Sequence, residues 1–561
     1  MPTASLYPPV DIPDVDLWTF LFERKERPFP EDQIIYQDAD TRRCYTYQEV
    51  RQAALDFGKG LKAAWNWRKG DVLALFTPNC IDTPAVIWGT HWAGGVVSPA
   101  NPAYTVDELA FQLKNSGAKA LATQLAHLSV ATEAARRAGI ADNRIILLGD
   151  QRHPAARFKH FTTIRNIEGT ARFRRTKVDP AKDLAFLVYS SGTTGTPKGV
   201  MLSHRNIIAN ILQYKAGDRN LSCHGGPDGK GDRVLAFLPF YHIYGLTVLI
   251  HQAMDSGLHL VVMAKFDLEK FCAHIQDFQV TLAYVAPPVV LLLSKHPVVD
   301  KYDLSSLKMM NSGAAPLTQE LVEAVYTRIQ CGVKQGYGLS ETSPTTHTQP
   351  WADWRRTVGS VGRMLPNQEA KYMTMPEDGS APRELPVGET GELYLRGPNV
   401  FLGYHGNPAA TAECLSADGW FRTGDVGYQD AEGNFFITDR AKELIKYNGF
   451  QVAPAELEGI LVGSPAVDDV AVIGVHSASH GTEVPVAYVV RSAQSKESGR
   501  SAEDEAASIA HWLEDKVAYY KRLRGGVHFV DEIPKSPSGK ILRRVLRKNA
   551  QLKQDSIRAK L

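Results

Sequence analysis

Eleven consecutive residues, Tyr189, Ser190, Ser191, Gly192, Thr193, Thr194, Gly195, Thr196, Pro197, Lys198 and Gly199, place hydroxyls, glycines and a lysine directly after a buried apolar segment. In such a turn successive backbone N–H groups can cradle phosphate oxygens, with hydroxyls as further donors and the lysine as counter-charge. The spacing excludes a Walker A loop. Pro197 precedes the lysine where that loop has glycine, and Gly199 stands where it has the magnesium-binding hydroxyl. Other residues invite chemistry in the same way. Lys540 follows a Pro/Ser/Gly stretch near the C-terminus. It reads either as an exposed lysine or as a cation that a mobile loop delivers only when an active site closes. His242 is crowded by Pro239, Phe240, Tyr241, Tyr244 and Gly245 at an expected strand end, where ligands bind in open α/β sheets; a satisfied core histidine is the alternative. Asp425, placed at a strand end, can accept from both ribose hydroxyls or simply close an Asx-turn.

The elements that must position these groups alternate. The pattern predicts apolar segments over Ala85–Ala93 and Val96–Pro99, an amphipathic helix over Val106–Ser116 and a buried strand over Ala118–Thr123. A strand over Asp183–Val188 runs into the glycine loop, followed by a helix over Ser203–Tyr214. Further strands are expected over Val234–Leu238, Leu258–Met263 and Thr281–Val285. Strands alternating with helices predict a layered α/β fold with largely parallel sheet. Past Gly388 the texture changes to antiparallel strands over Gly391–Arg396 and Asn434–Thr438. A boundary at Asp439–Arg440 then introduces a smaller mixed α+β unit. This unit holds a helix over Ala453–Leu461 with Pro454 in its first turn, strands over Val470–Val475 and Pro485–Val490, and a polar exposed loop over Gln494–Glu505. The expected division is therefore 1–439 and 440–561.

Composition narrows the function classes. Lys and Arg number 63 against 61 Asp and Glu, a net +2, which argues against a nucleic-acid binder dependent on a concentrated positive field. Six scattered cysteines suit reduced thiols rather than a disulfide scaffold. The first thirty residues carry no signal-peptide pattern, and the apolar run Leu282–Leu293 is too short to span a bilayer, so a soluble intracellular protein is expected.

Read together, the motifs resemble those of the adenylate-forming superfamily, which unites acyl-CoA synthetases, nonribosomal adenylation domains and beetle luciferases. The glycine loop is joined, in the family's order, by Asn311-Ser312-Gly313-Ala314-Ala315-Pro316, Gln335-Gly336-Tyr337-Gly338-Leu339-Ser340-Glu341 and Tyr394-Leu395-Arg396-Gly397. Gly419-Trp420-Phe421-Arg422-Thr423-Gly424-Asp425, Asp439 to Gln451, and Pro534-Lys535-Ser536-Pro537-Ser538-Gly539-Lys540 complete the series. The resemblance spans nearly the whole chain and implies a large AMP-binding domain with a mobile lid. It also implies two half-reactions: a carboxylic acid and ATP give an acyl-adenylate and pyrophosphate, then coenzyme A takes the acyl group and AMP leaves.

The resemblance assigns roles residue by residue. Ser190 to Lys198, Gly313 to Ala315, Gln335 to Ser340, Asp425, Ile437 and Arg440 would hold ATP, with Asp425 on the ribose and Arg440 on the ribose or phosphate side. Mg2+ would be held by Thr193 and Glu341, as a hard cation on oxygen ligands. Lys540 would contact substrate carboxylate and α-phosphate, and His242 would gate the carboxylate position between the half-reactions. The hinge residue would be Lys442. After lid rotation Lys446 and Gln451 would support thioester formation, while Gly449 would let pantetheine pass close to the backbone. The acid would sit among Tyr241, His242, Tyr244, Asn311, Gly313, Gly336, Gly338, Ser343, Pro344 and Thr345. Small residues there leave room for a flat ring or slim chain, so arylacetic, cinnamic-type and medium-chain acids all stay open, while an amino acid lacks its ammonium partner.

A nonribosomal synthetase would carry a further module, whereas this chain ends 21 residues after Lys540. A free-standing acid–CoA ligase of the coumarate-ligase-like branch is the expectation. A luciferase-like oxygenase and a non-catalytic nucleotide-binding relative are the alternatives, the last able to dispense with Lys540 and Lys442. Ala559-Lys560-Leu561 resembles the tripeptide read by the peroxisomal import receptor, which predicts a peroxisomal location, with the cytoplasm otherwise. No nucleic acid and no transmembrane segment are expected, and both monomer and homodimer stay open.

Overall fold

The computed structural model describes residues 2–190, 197–313, 317–376, 380–448, 450–477, 480–536 and 539–558, the last six as backbone alone. Ser191, Gly192, Thr193, Thr194, Gly195, Thr196, Ala314, Ala315, Gly449 and the tripeptide Ala559-Lys560-Leu561 lie outside the described residues.

Capping chemistry starts the helices where the polar residues stand. Thr46 with Glu49, Thr105 with Glu108 and Ser203 with Asn206 each form a reciprocal capping box before the helices Tyr47–Trp65, Val106–Asn115 and His204–Gly217. Helices Tyr47–Trp65 and Thr83–Trp92 pack backbone to backbone. A Cβ on Gly58 would stand 2.5 Å from the Gly89 carbonyl oxygen, closer than any side chain tolerates. Pro287 and Pro288 open the helix Pro287–Lys295, where a missing N–H costs nothing.

Among the described residues two large sheets form the body. A seven-stranded sheet is built on parallel pairs such as Val72–Phe76 with Val96–Ala100 and Ala118–Thr123. A nine-stranded sheet has a parallel centre running through Arg233–Ala236, Leu282–Val285, Met309–Ser312 and Gly332–Gly338. Their central strands are buried throughout, as parallel strands covered on both faces must be. A six-stranded antiparallel sheet follows, including Gly391–Arg396, Phe421–Gln429 and Phe435–Arg440. The chain then turns at 441–443 into a small α+β unit with its own core of Ile445, Leu457, Val472, Ala487 and Leu513.

The helix expected from Ser203 is present as His204–Gly217 with Ser203 as its N-cap, and a strand not read from the sequence precedes it: Leu184–Ser190 pairs antiparallel with Lys198–Ser203, Ser190 opposite Lys198. The alternation of Lys198–Ser203 is too short to stand out beside the loop. Two expectations need correction. Asp425 lies inside strand Phe421–Gln429, not at its end. The segment Gln494–Glu505 is not a loop: it contributes to helices Ala493–Glu497 and Ala502–Glu514. Ser492 and Ser501 cap these helices, Glu503, Asp504 and Glu505 favour the second helix's positive N-terminus, and the Ser495 hydroxyl donates to buried Glu505. The expected exposure holds, ten of the twelve residues being exposed; what the reading missed is that the same polar side chains cap and start two helices.

The body also buries three histidines together. His91 lies 5.1 Å from His204 ring to ring, while His251 packs edge-on against Trp88 and Phe186. Burial pushes His251 down to about 4 and lowers His91 and His204 as well. A depressed histidine pKa contributes stability fully present above the unfolded value near 6.5 and lost as pH falls towards the folded one. The unfolding free energy from urea titrations followed by tryptophan fluorescence should hold steady above about pH 6.5 and fall below it, by about 1.4 kcal/mol per pH unit for each histidine still neutral, with the midpoint falling in step. A midpoint flat from pH 7.5 to 5 would contradict this.

Candidate active site

A chain of contacts ties the motif residues into one cleft. Lys198, the first residue of the strand Lys198–Ser203, stands 5.0 Å over the ring of Tyr404. The Tyr404 hydroxyl donates to Glu341 Oε1 at 2.8 Å, and burial together with this carboxylate raises the Tyr404 pKa. Glu341 is buried, in the turn Ser340–Thr342 that follows strand Gly332–Gly338. Its charge reaches Arg440, whose Nε lies 3.1 Å from Asp425 Oδ1; Asp425 holds the guanidinium charged. The Tyr337 hydroxyl donates to the other Asp425 oxygen at 2.5 Å, and burial with that carboxylate lifts its pKa well above the ordinary value. Asp425 and Arg440 face each other across the antiparallel pair, which explains why residues 15 positions apart meet.

Lys540 completes the cleft from the small unit. Beside it, the Gly539 N–H donates to the Ser536 carbonyl and Lys535 Nζ grips both Asp469 oxygens. A Cβ on Gly539 would meet Ala286 Cβ at 3.1 Å, so the loop is seated directly on the body. Burial, then the neighbouring Arg440 charge, lowers the Lys540 pKa below the ordinary lysine value. Burial and the Lys540 charge push His242 down to about 4, so His242 is neutral at pH 7 and can orient a carboxylate without repelling or protonating it. Its Nδ1 accepts from the Tyr244 N–H at 3.3 Å, which fixes the ring.

Lys446 and Gln451 are not in the cleft. They sit opposite each other on the exposed face of the hairpin Ile445–Tyr447 and Phe450–Val452, whose other face enters the small unit's core and whose backbone is held by Glu483 and Thr482. Lys442 is exposed in the turn between body and small unit. Next to it, Glu443 pairs with Arg543 at 2.7 Å. Arg543 also pairs with Glu458, whose burial raises its pKa to about 7.

The acyl side is shaped by glycine. A Cβ on Gly336 would meet the His347 carbonyl at 3.2 Å and Asn311 Oδ1 at 3.6 Å, and one on Gly313 would meet the Tyr244 ring at 3.2 Å. Gly338 admits the Pro344 carbonyl, 2.2 Å from where its Cβ would stand. Half-buried Tyr241 has its pKa raised by burial and Tyr104. Ser343 and Thr345 are buried and committed to the scaffold: the Ser343 hydroxyl donates to the Asn399 carbonyl, and the Thr345 backbone is clamped by Asn210. Gln335 is likewise occupied, accepting from the Leu317 N–H. Ile437 lies on strand Phe435–Arg440 and Leu339 just after strand Gly332–Gly338.

Sequence reasoning passed over the groups behind this pocket. Lys334, fully buried, ion-pairs with Asp218 and donates to Thr348 Oγ1 at 3.2 Å. The Tyr214 hydroxyl donates to Asp218 at 3.1 Å and accepts from Asn311 Nδ2 at 2.9 Å. A lysine inside a strand otherwise free of charge, directly before Gln335-Gly336, was the available signal.

Comparisons with known proteins agree with this geometry. The AMP-binding enzyme family matches residues 22–405, and the AMP-binding enzyme C-terminal domain matches residues 456–540. A probable 4-coumarate–CoA ligase 1 of Dictyostelium discoideum is 36% identical over 97% of both chains. A 4-coumarate–CoA ligase of Pinus taeda is 36% identical over 97% of this chain and 96% of its own. Among solved structures, ATP-bound MatB from Rhodopseudomonas palustris superposes with a TM-score of 0.81 at 29% identity, covering 95% of this chain and 98% of its own. With its body and its lysine-bearing small unit both matched, the chain belongs to the AMP-binding enzymes, in the 4-coumarate–CoA-ligase-like branch of the adenylate-forming superfamily.

Proposed function

We propose that this protein is an ATP-dependent carboxylic acid–CoA ligase that takes an aryl or medium-chain acid and forms AMP. In the first half-reaction a carboxylate oxygen attacks the α-phosphorus, the bond to the bridging oxygen breaks, and pyrophosphate leaves. In the second, the coenzyme A sulfur attacks the acyl carbon, the bond to AMP breaks, and the thiol proton passes to solvent. The observation that carries this reading is the position of Lys540, seated over the cleft beside His242, Arg440 and Asp425 while Lys446 and Gln451 face outward. That is the arrangement the first half-reaction needs, with a cation where charge accumulates on the transferring group. Coumarate–CoA ligase relatives support the acid and the acceptor.

Asp425 would take the ribose hydroxyls, displacing the Tyr337 hydroxyl or Arg440. Glu341 offers a buried carboxylate beside the glycine hairpin. Such an oxygen-only site suits Mg2+, which binds through one or two carboxylates plus phosphates, and Thr193 would add a hydroxyl. A bound Mg2+ would neutralise phosphate charge. At the acyl end, Asn311 Oδ1 is buried with no hydrogen-bond partner among the described residues, which a donor on an aromatic acid would satisfy.

The test is a panel of arylacetic, cinnamic-type and medium-chain acids assayed for AMP release and acyl-CoA together. The expected result is AMP and thioester in equal amounts from at least one acid, without light. Pyrophosphate exchange with no thioester from any acid would overturn the ligase assignment.

A further inference from the structure

The small unit rests on the body through a helix that carries an interior glycine. Helix Pro454–Val462 turns Leu457, Glu458 and Leu461 into the small unit and leaves half-buried Gly459 towards the body. Glycine inside a helix costs stability relative to alanine, and the body supplies the reason for it here. A Cβ on Gly459 would stand 2.6 Å from Cγ2 of Thr318, the residue before the body helix Gln319–Ile329. Thr318 is not free to turn aside. Its Oγ1 caps that helix, accepting from the Leu321 N–H at 3.3 Å, and a β-branched side chain has few rotamers. Two polar contacts join the same units. Asp439, on strand Phe435–Arg440, accepts at 3.1 Å from the N–H of Ala455 in the first turn of the glycine's helix, and Lys295 Nζ donates to the Val467 carbonyl at 3.2 Å. The helix is in turn tied to the segment that carries Lys540. Glu458, next to Gly459, pairs with Arg543 at 2.6 Å and accepts from the Val472 N–H at 2.7 Å. Arg543 stands three residues after Lys540 and donates to the Val472 carbonyl at 3.1 Å.

We infer that Gly459 is a positioning residue for the first half-reaction: by letting its helix close on Thr318, it sets the small unit at the depth from which Lys540 reaches the cleft. The inference rests on the ligase reading above, in which Lys540 serves adenylate formation. Carbon atoms pack no closer than about 3.5 Å, so a methyl at position 459 has to push the helix from Thr318 by about 1 Å. The Glu458–Arg543 pair carries that displacement towards the lysine. A misplacement of about 1 Å at a reacting centre can cost about 10²-fold in rate. Gly539 makes a second close approach, to Ala286 and Pro288, next to the lysine itself, so the two units meet through glycine at both points.

The test uses the preferred acid of the panel above and measures two steps: single-turnover adenylate formation, and thioester formation from supplied acyl-adenylate and coenzyme A. The full chain is compared unmodified, as Gly459→Ala, and as Gly459→Ala with Thr318→Ser. Serine keeps the capping hydroxyl and lacks the methyl that the new alanine would strike. Gly459→Ala should lower adenylate formation about ten-fold or more and leave the thioester step within about two-fold. Adding Thr318→Ser should bring adenylate formation back to within about three-fold of the unmodified enzyme, a coupling that two independent sites would not show. Because alanine favours a helix, the far-ultraviolet circular dichroism of Gly459→Ala should match that of the unmodified enzyme. Undiminished adenylate formation in Gly459→Ala, an equal loss in both steps, or a loss that Thr318→Ser does not relieve would each overturn the inference and leave the ligase assignment standing. An unmodified enzyme that forms no adenylate from any acid would instead remove the ligase assignment.

Discussion

Replacing Lys540 with alanine is expected to lower adenylate formation by about 10²–10³-fold, the loss typical of removing one preorganised charge partner from a developing oxyanion. Thioester formation from supplied acyl-adenylate should fall far less. The split follows from where the lysine sits. Its loop is seated on the body at Ala286, and the ammonium shares the cleft with Arg440 and Asp425, at the place where the α-phosphate must stand if Asp425 holds the ribose. Because the loop belongs to the small unit, a turn of that unit about the segment at Lys442, which we propose, would carry the cation out of the cleft before the second half-reaction. Single-turnover adenylate formation and the supplied-adenylate reaction, measured side by side on K540A, check this. Equal loss in both would mean that the lysine acts on folding or lid closure, not on the transferring phosphoryl group.

The second large effect concerns stability. Lys334→Met should destabilise the body by about 3–5 kcal/mol, because it leaves Asp218 charged, buried and without its counter-ion. Lys334 and Asp218 are 0% and 1% exposed in their side chains, and Lys334 holds the Asp218 carboxyl below the usual range against the effect of burial. The loss would spread, since Asp218 also receives the Tyr214 hydroxyl, and through it Asn311 at the pocket floor. Equilibrium urea unfolding of K334M, of Asp218→Asn and of the double variant completes the cycle. The double variant should recover part of the loss, because no unpaired charge remains. Strictly additive losses would mean that the two residues act independently.

Much of the site was legible because its signals are local. A hydroxyl- and glycine-rich loop, a carboxylate after Gly-Tyr-Gly, and a lysine in a Pro/Ser/Gly turn each announce themselves within a few residues, and their order along the chain identified the family. Parallel strands and capped helices were equally readable, since apolar runs and Ser/Thr caps act through neighbours in sequence. The reading failed where exposed polar residues had a second purpose. The segment after Ser492 is exposed as expected, but its serines and acidic residues also cap and start helices there. The strand Lys198–Ser203 was hidden because its partner, Leu184–Ser190, lies across the loop.

From the amino-acid sequence alone come the family and the activation of a carboxylic acid for transfer to coenzyme A, encoded in contiguous motifs that also carry the residues proposed to hold the nucleotide. Only the tertiary structure decided how those groups are paired. It showed Asp425 shared between Tyr337 and Arg440, His242 kept neutral under Lys540, and the small unit placed so that Lys540 neighbours the cleft while Lys446 is exposed. It also disclosed the buried groups behind the acyl pocket, where Lys334 meets Asp218 across 116 residues. Contacts between distant segments depend on how sheets and helices stack, and burial turns an ordinary lysine, aspartate and tyrosine into a rigid network, which spacing along the chain cannot disclose.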